Sequence, residues 1–284
     1  RYTDAARVEA RILREVNDRD PDNKSGCVRY YERFTVRGHV CMVFESLGHS
    51  LYEYIKVNKY SPLPLYCVQN FADQLVFSIA YLHAMKLTHT DLKPENILLT
   101  TTSYRTTSKR TSSRGTAVCY APEVTTIKLI DFGGATFDHQ HKSSIINTRQ
   151  YRAPEVILNL GWTTSSDMWS VGCIIMELYT GELLFATHDT AEHLALMEAC
   201  LGRMPSSMAC AKTREARRYF DSRGRMRYPD GADSESIRHV HKMRRLRDIV
   251  HPDDTVFFDF VQRCLEFDPS ARITAAEAVN HPFF

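Results

Sequence analysis

The chain has 284 residues, 43% hydrophobic, 11% aromatic and 25% charged, the profile of a globular protein of one large or two smaller domains with room for a sizeable core. Thirty-six Lys and Arg against 34 Asp and Glu leave +2, too near balance for net charge to argue for nucleic acid, a membrane surface or an acidic substrate. The longest apolar stretch, Val171 to Met176 extended by Leu178 and Tyr179, falls far short of the roughly 18 residues that a membrane span needs. The eight cysteines form no C-x-x-C pair, which argues against a zinc ribbon or disulfide scaffold and for reduced, intracellular thiols. The sequence begins at Arg1 rather than Met and reads as a segment of a longer one.

Residues 4–16 place Ala5, Val8, Ile12, Leu13 and Val16 on one face at helical spacing, predicting an amphipathic helix. The run from Cys27 to Phe44 is rich in Val, Tyr, Phe and Thr around Arg37-Gly38-His39, predicting two strands joined by a tight turn. Residues 66–85 carry Phe71, Leu75, Ile79 and Leu82 on one helical face, which should point at the core. Residues 100–116 are almost wholly Thr, Ser, Lys, Arg and Gly, too polar to offset the entropy of ordering, and are expected to form a mobile loop. Residues 167–180 are apolar nearly all round and stop at Gly181, as a central buried helix would. Between Arg203 and Asp248, thirteen basic residues face six acidic ones, a local +7 beside −5 for the remainder. A solvated face accounts for that excess as well as a binding surface does, and no aromatic platform for RNA is interleaved.

Chemistry concentrates in three motifs: His89-Thr90-Asp91-Leu92-Lys93-Pro94-Glu95-Asn96, then Asp131-Phe132-Gly133, then Ala153-Pro154-Glu155. Each is weak alone, and in this order they are specific. They suit phosphoryl transfer, where the barrier falls through positioning and through neutralising charge on a moving phosphate. Asp91 can accept the hydroxyl proton, Asn96 and Asp131 can hold Mg²⁺, and Lys93 can sit by the γ-phosphate. The alternating IKLI before Asp131 and the ILL after Asn96 predict a strand pair that brings the two metal candidates together, with the polar stretch as an insertion between them. His89 is expected to pack against Phe132 and Asp167, and the other histidines, His139 and His141 among them, to face solvent.

These motifs, with TRQYRAPEVIL (148–158), THDTAEHLALMEACLG (187–202) and FDPSARITAAEAVNHPFF (267–284), resemble the eukaryotic protein kinases and, within them, the LAMMER (Clk-type) dual-specificity family. The name-giving stretch reads LALMEA at Leu194–Ala199, with two of six letters changed. The resemblance implies an α+β, bilobal protein-kinase fold, with a truncated β-rich N-lobe over 1–46 and a complete, mainly helical C-lobe over 47–284, carrying insertions near 100–126 and 187–250. It implies ATP and Mg²⁺ as cofactors, transfer of phosphate to Ser/Thr and possible transfer to Tyr of protein substrates such as Ser/Arg-rich splicing factors, and a nuclear location, with no membrane or direct nucleic-acid partner. It makes Asp91 and Lys93 catalytic, and Asn96 and Asp131 the metal ligands. Leu98 and Ile130 would floor the adenine site, Glu45 to Leu47 would form the hinge, and Phe44 would stand behind it. Glu9 would pair with a strand lysine upstream of Arg1, where the Gly-rich loop is also expected. The chain alone should then be nearly inactive, and a catalytically impaired fragment that binds proteins is the rival reading. Glu155 should pair with buried Arg272. Thr90 stands where most kinases have Arg, so activity is expected not to need a phosphorylated activation segment.

Overall fold

The computed structural model describes residues 2–110 and 116–284. Helix α1 (Tyr2–Asp18) buries Ala10, Ile12, Leu13 and Val16, while Ala5 and Val8 of the expected apolar face are exposed. Burial is confined to the C-terminal half of α1, where Tyr81 donates to the Val16 carbonyl at 2.7 Å. Strands β1 (Tyr30–Val36) and β2 (His39–Phe44) form the expected hairpin. Arg37 and Gly38 have φ of 49° and 82°, the left-handed pair that a two-residue turn requires.

Helix α2 (Leu51–Val57) is opened by a reciprocal capping box of Ser50 and Glu53. Helix α3 (Leu65–Ala84) buries Phe71, Leu75, Ile79 and Leu82 as its periodicity requires. Then come β3 (Leu87–Thr88), β4 (Ile97–Leu99), β5 (Tyr104–Arg110), β6 (Thr116–Pro122), β7 (Ile127–Leu129) and β8 (Thr136–Phe137). They pair antiparallel as β3 with β8, β4 with β7 and β5 with β6.

The β5–β6 pair corrects the loop expected over 100–116, of which residues 111–115 lie outside the described residues. Thr, Tyr and Val suit a pleated surface, and the base of the hairpin has anchors that composition does not reveal. Tyr104 stacks on His49 and on Tyr54, with ring centroids 5.4 and 5.9 Å apart. The Asn58 side chain donates to the Tyr120 carbonyl and accepts from the Tyr120 N–H, both at 3.0 Å.

The remaining chain is helical: α4 (Pro154–Ile157), α5 (Ser165–Thr180), α6 (Thr190–Leu201), α7 (Ser206–Ala209), α8 (Arg214–Tyr219), α9 (Ser234–Lys242), α10 (Leu246–Ile249), α11 (Thr255–Cys264) and α12 (Ala275–Ala278). Buried Met168, Trp169, Val171, Ile174 and Ile175 make α5 the hub, packed against α3 and α11. It stops at Gly181, whose φ of 84° and approach to the Tyr60 carbonyl leave no room for a Cβ. His193 and His281 are buried at 1% and 6% exposure, against the expectation of solvent-facing histidines, because each sits in an aromatic cluster with Phe185 or Phe260. His139 and His141 are exposed. The seven described cysteines are free thiols, and no described helix is long and apolar enough to cross a membrane.

Candidate active site

The loop after β3 is held from below by α5. Asp167, fully buried, accepts the backbone N–H groups of His89 and Thr90 at 2.8 and 3.0 Å, and His83 Nε2 lies 3.0 Å from its Oδ2. These bonds hold Thr90 at φ 72°, a conformation rarely adopted by a β-branched residue. The His89 ring packs edge-on against Phe132 at 5.2 Å as expected. Its contact with Asp167 is through the backbone instead, because the ring nitrogen is engaged by the Ile130 carbonyl at 3.0 Å. Thr90 Oγ1 donates to the Gly134 carbonyl at 2.8 Å, tying this loop directly to the Asp131-Phe132-Gly133 turn.

Asp91 projects from the tightened loop into a ring of donors. Its Oδ2 accepts from Lys93 Nζ at 2.7 Å, and its Oδ1 accepts from the Thr148 N–H at 3.0 Å and Thr148 Oγ1 at 2.8 Å. Burial opposes ionisation of Asp91, but the Lys93 and Thr148 hydrogen bonds and the Lys93 charge outweigh it and hold the carboxyl below its usual range. The group is therefore a carboxylate at neutral pH, fixed in direction and able to accept a hydroxyl proton. Lys93 Nζ also reaches Thr148 Oγ1 at 3.2 Å, so it bridges the two.

Asn96 donates from Nδ2 to the Asp91 carbonyl at 2.9 Å, which leaves its Oδ1 as an acceptor. The β4–β7 register, Ile97 opposite Leu129, and an Ile130 N–H bond to the Asn96 carbonyl at 3.0 Å bring Asp131 beside Asn96. Asp131 sits at φ 63° just past the strand and is exposed, with Oδ1 accepting from the Gly133 N–H at 3.3 Å. One carboxylate and one amide oxygen on adjoining turns fit Mg²⁺, which in such sites takes a few protein oxygens plus substrate phosphates. Among the described residues no cluster of three or more His, Cys, Asp or Glu makes a closed metal cage.

Glu9 of α1 faces this turn. Burial and the Asp131 charge raise its pKa against a hydrogen bond from the Phe132 N–H, and among the described residues no cation pairs with it. Phe44 ends β2 and is exposed. Glu45 continues that edge: its N–H donates to the Arg29 carbonyl, its Oε1 accepts from the Arg29 N–H, and Lys128 Nζ lies 3.6 Å away. The Gly48 N–H then donates to Leu99, which sets Leu47 beside β4; Leu47, Leu98 and Ile130 are half-buried. Of the ten sequence-selected residues, Glu9 lies on α1, Phe44, Glu45 and Leu47 lie at and after the end of β2, Asp91, Lys93 and Asn96 lie on the loop between β3 and β4, and Leu98, Ile130 and Asp131 lie on or just past the β4–β7 pair. Thr148 was not among them, although it makes two hydrogen bonds to Asp91; its signal is its place at the head of T-x-x-Y-R.

The protein kinase domain family matches residues 2–284. The chain belongs to the protein kinase family. A serine/threonine-protein kinase, AFC3 of Arabidopsis thaliana, is 46% identical over all of the chain and 72% of its own length. The dual specificity protein kinase CLK2 of Mus musculus is 43% identical over all of the chain, which spans 56% of that relative. A solved crystal structure of a kinase domain superposes with a TM-score of 0.94 at 42% identity, covering 99% of this chain and 84% of that one. The kinase is therefore of the CLK and AFC type, with the α+β kinase fold.

The segment that carries Thr148 in this kinase is anchored by an ion pair. Arg272 Nη1 and Nη2 donate to Glu155 Oε1 and Oε2 at 2.7 and 2.9 Å, a bidentate bond with both side chains at most 1% exposed. One turn earlier Tyr151 donates to Glu177 Oε2 at 2.6 Å.

Proposed function

We propose that this kinase transfers the γ-phosphate of Mg-ATP to Ser and Thr of protein substrates, with Tyr as a further acceptor, and that Ser/Arg-rich splicing factors in the nucleus are among them. The observation that carries the reading is the fixed Asp91 carboxylate, gripped by Lys93 and Thr148 on the loop that also bears Asn96. A substrate hydroxyl oxygen bonds to the γ-phosphorus as the bond to the ADP oxygen breaks, and Asp91 takes the hydroxyl proton. Asp91 orients the hydroxyl, and Lys93 offsets negative charge at the same point. Asn96 and Asp131 would hold the metal, which when bound supplies positive charge to the phosphates. Phe44, Glu45, Leu47, Leu98 and Ile130 would seat adenine, and Glu9 would orient a lysine on the α- and β-phosphates. The N-terminal 46 residues act as part of the N-lobe and residues 47–284 as the C-lobe.

The test is transfer of label from ATP to an Arg-Ser repeat peptide, with the protein carrying whatever coding sequence precedes Arg1. Asp91→Asn should lower kcat by about 10²-fold or more with the fold intact. Undiminished transfer by that variant would overturn the assignment.

A further inference from the structure

A cavity of about 570 Å³ opens at the C-terminal end of α6, bounded by α10 and α11. Leu246, Leu265 and Phe267, all buried, form its apolar part. Arg203, Arg245 and Arg247 stand around them, and Glu266 is the sole Asp or Glu among the described lining residues. The basic excess between Arg203 and Asp248 thus converges here, with three of its thirteen basic residues sharing one concave wall.

The fold does not neutralise these charges. Arg203 and Arg247 are exposed and make no hydrogen bond or ion pair among the described residues. Arg245 Nη1 donates to the Glu198 carbonyl at 3.4 Å, which holds the side chain over the end of α6 and leaves its charge unpaired. The Glu198 carboxylate is engaged elsewhere, by the Met204 N–H at 2.9 Å. Cys200, also in the wall, is pushed up to about 12 by burial against the opposing pull of Arg245, so it is a neutral thiol and no counter-charge. Three cations against one carboxylate in a concave site focus a positive field that an anion relieves.

The cavity is remote from Asp91. Arg149, beside Thr148, donates to Thr190 Oγ1 at the start of α6 at 3.0 Å. The 12 residues of α6 put about 16 Å between that contact and the cavity at Leu201. A ligand held here therefore does not present the acceptor hydroxyl; it tethers a chain whose acceptor lies elsewhere.

We propose that this cavity is a docking site for a peptide already phosphorylated on Ser or Thr, with the phosphate among Arg203, Arg245 and Arg247 and an adjoining apolar side chain on Leu246, Leu265 and Phe267. A phosphorylated residue brings about −1.5 to −2 charge at neutral pH and three acceptor oxygens, and the guanidinium fork bonds such a group bidentately. Phosphotransfer by this kinase makes that group, so its own products supply the ligand. Phe267 is buried and Phe258 half-buried, which leaves little ring face for a nucleic-acid base to stack on.

The test is fluorescence anisotropy on the full chain, without ATP, using a labelled Leu-phosphoserine repeat peptide. Binding should weaken as salt rises, and a Leu-Glu repeat should bind several-fold more weakly. Arg203→Gln with Arg247→Gln should weaken phosphopeptide binding about tenfold. Arg217→Gln with Arg223→Gln, an equal charge loss outside the cavity, should change it less than about twofold. If the first pair lowers the melting temperature, Arg203→Lys with Arg247→Lys replaces it; that pair keeps the charge, loses the fork, and should still bind several-fold more weakly. Transfer of label from ATP to an unphosphorylated Ser peptide should be unchanged in the cavity pair, which separates docking from catalysis. Absence of phosphopeptide binding, equal binding of the Leu-Glu repeat, equal losses in the cavity and control pairs, or a matching drop in label transfer would overturn the proposal. So would displacement of the peptide by an oligouridylate of equal charge at a lower concentration, which would give the site to nucleic acid.

Discussion

Replacing Arg272 with Ala removes more than one ion pair. Besides its two bonds to Glu155, the guanidinium donates to the carbonyls of Glu266, Ser165 and Phe267 at 2.9, 2.9 and 3.2 Å, and lies 5.3 Å from the centre of the Trp169 ring. The variant leaves a carboxylate at 1% exposure with no cation, which costs about 3–5 kcal/mol in comparable pairs. Each orphaned carbonyl that water cannot reach adds roughly 1 kcal/mol or more. At about 2–4 °C per kcal/mol, the melting temperature should drop by about 10 °C or more, or the chain should fail to accumulate as soluble protein. Thermal unfolding followed by circular dichroism measures this. Arg272→Lys should fall in between, since it restores the charge without the fork. Pairing Arg272→Met with Glu155→Leu should recover part of the loss, because no charge remains buried. A melting temperature for Arg272→Ala within about 2 °C of the parent would refute the reasoning.

Glu177 should make stability depend on pH. Its folded pKa, about 7, is raised above the unfolded value, so its contribution is fully present below the unfolded pKa near 4.5 and is lost as pH rises through 7, to about 3 kcal/mol in all. Glu177→Gln should flatten that slope in urea titrations between pH 5 and 8; identical slopes would count against it. Thr90, bonded to Gly134, ties the catalytic loop to the Asp131 turn without a phosphate, so phosphatase treatment should leave most activity in place. Complete loss of activity on dephosphorylation would contradict this. Thr148→Val removes the hydroxyl bond to Asp91 and keeps the backbone bond. It should lower kcat by about 10-fold with little change in melting temperature, and unaltered kinetics would exclude a positioning role for Thr148.

Much of this was legible in residue order. The α3 and α5 cores follow from apolar spacing, and the β4–β7 pair follows from two short alternating runs. Asp91, Lys93 and Asn96 occupy one loop of six residues, so their proximity is a local property of the chain. The β5–β6 pair was not legible, because its anchors, Tyr104 on Tyr54 and Asn58 on Tyr120, are contacts at distant positions that composition cannot register.

By itself the sequence determined which groups are available and in which order they occur: the Asp91 carboxylate, the Lys93 ammonium, the Asn96 amide and the Asp131 carboxylate. Tertiary structure decided how those groups are held and which way the charges face. Asp167 bonds the backbone of residues 77 and 78 positions before it, and Thr148 reaches back 57 positions to Asp91. Three of the six acids in the segment with seven excess positive charges, Asp230, Asp233 and Glu235, line one cavity with Asp189 and Glu192 of the α6 start. The physical reason is that hydrogen bonds and Coulomb forces act over a few ångströms of space, and only the packing of α5, α6 and α9 around the cleft sets which residues lie within that range.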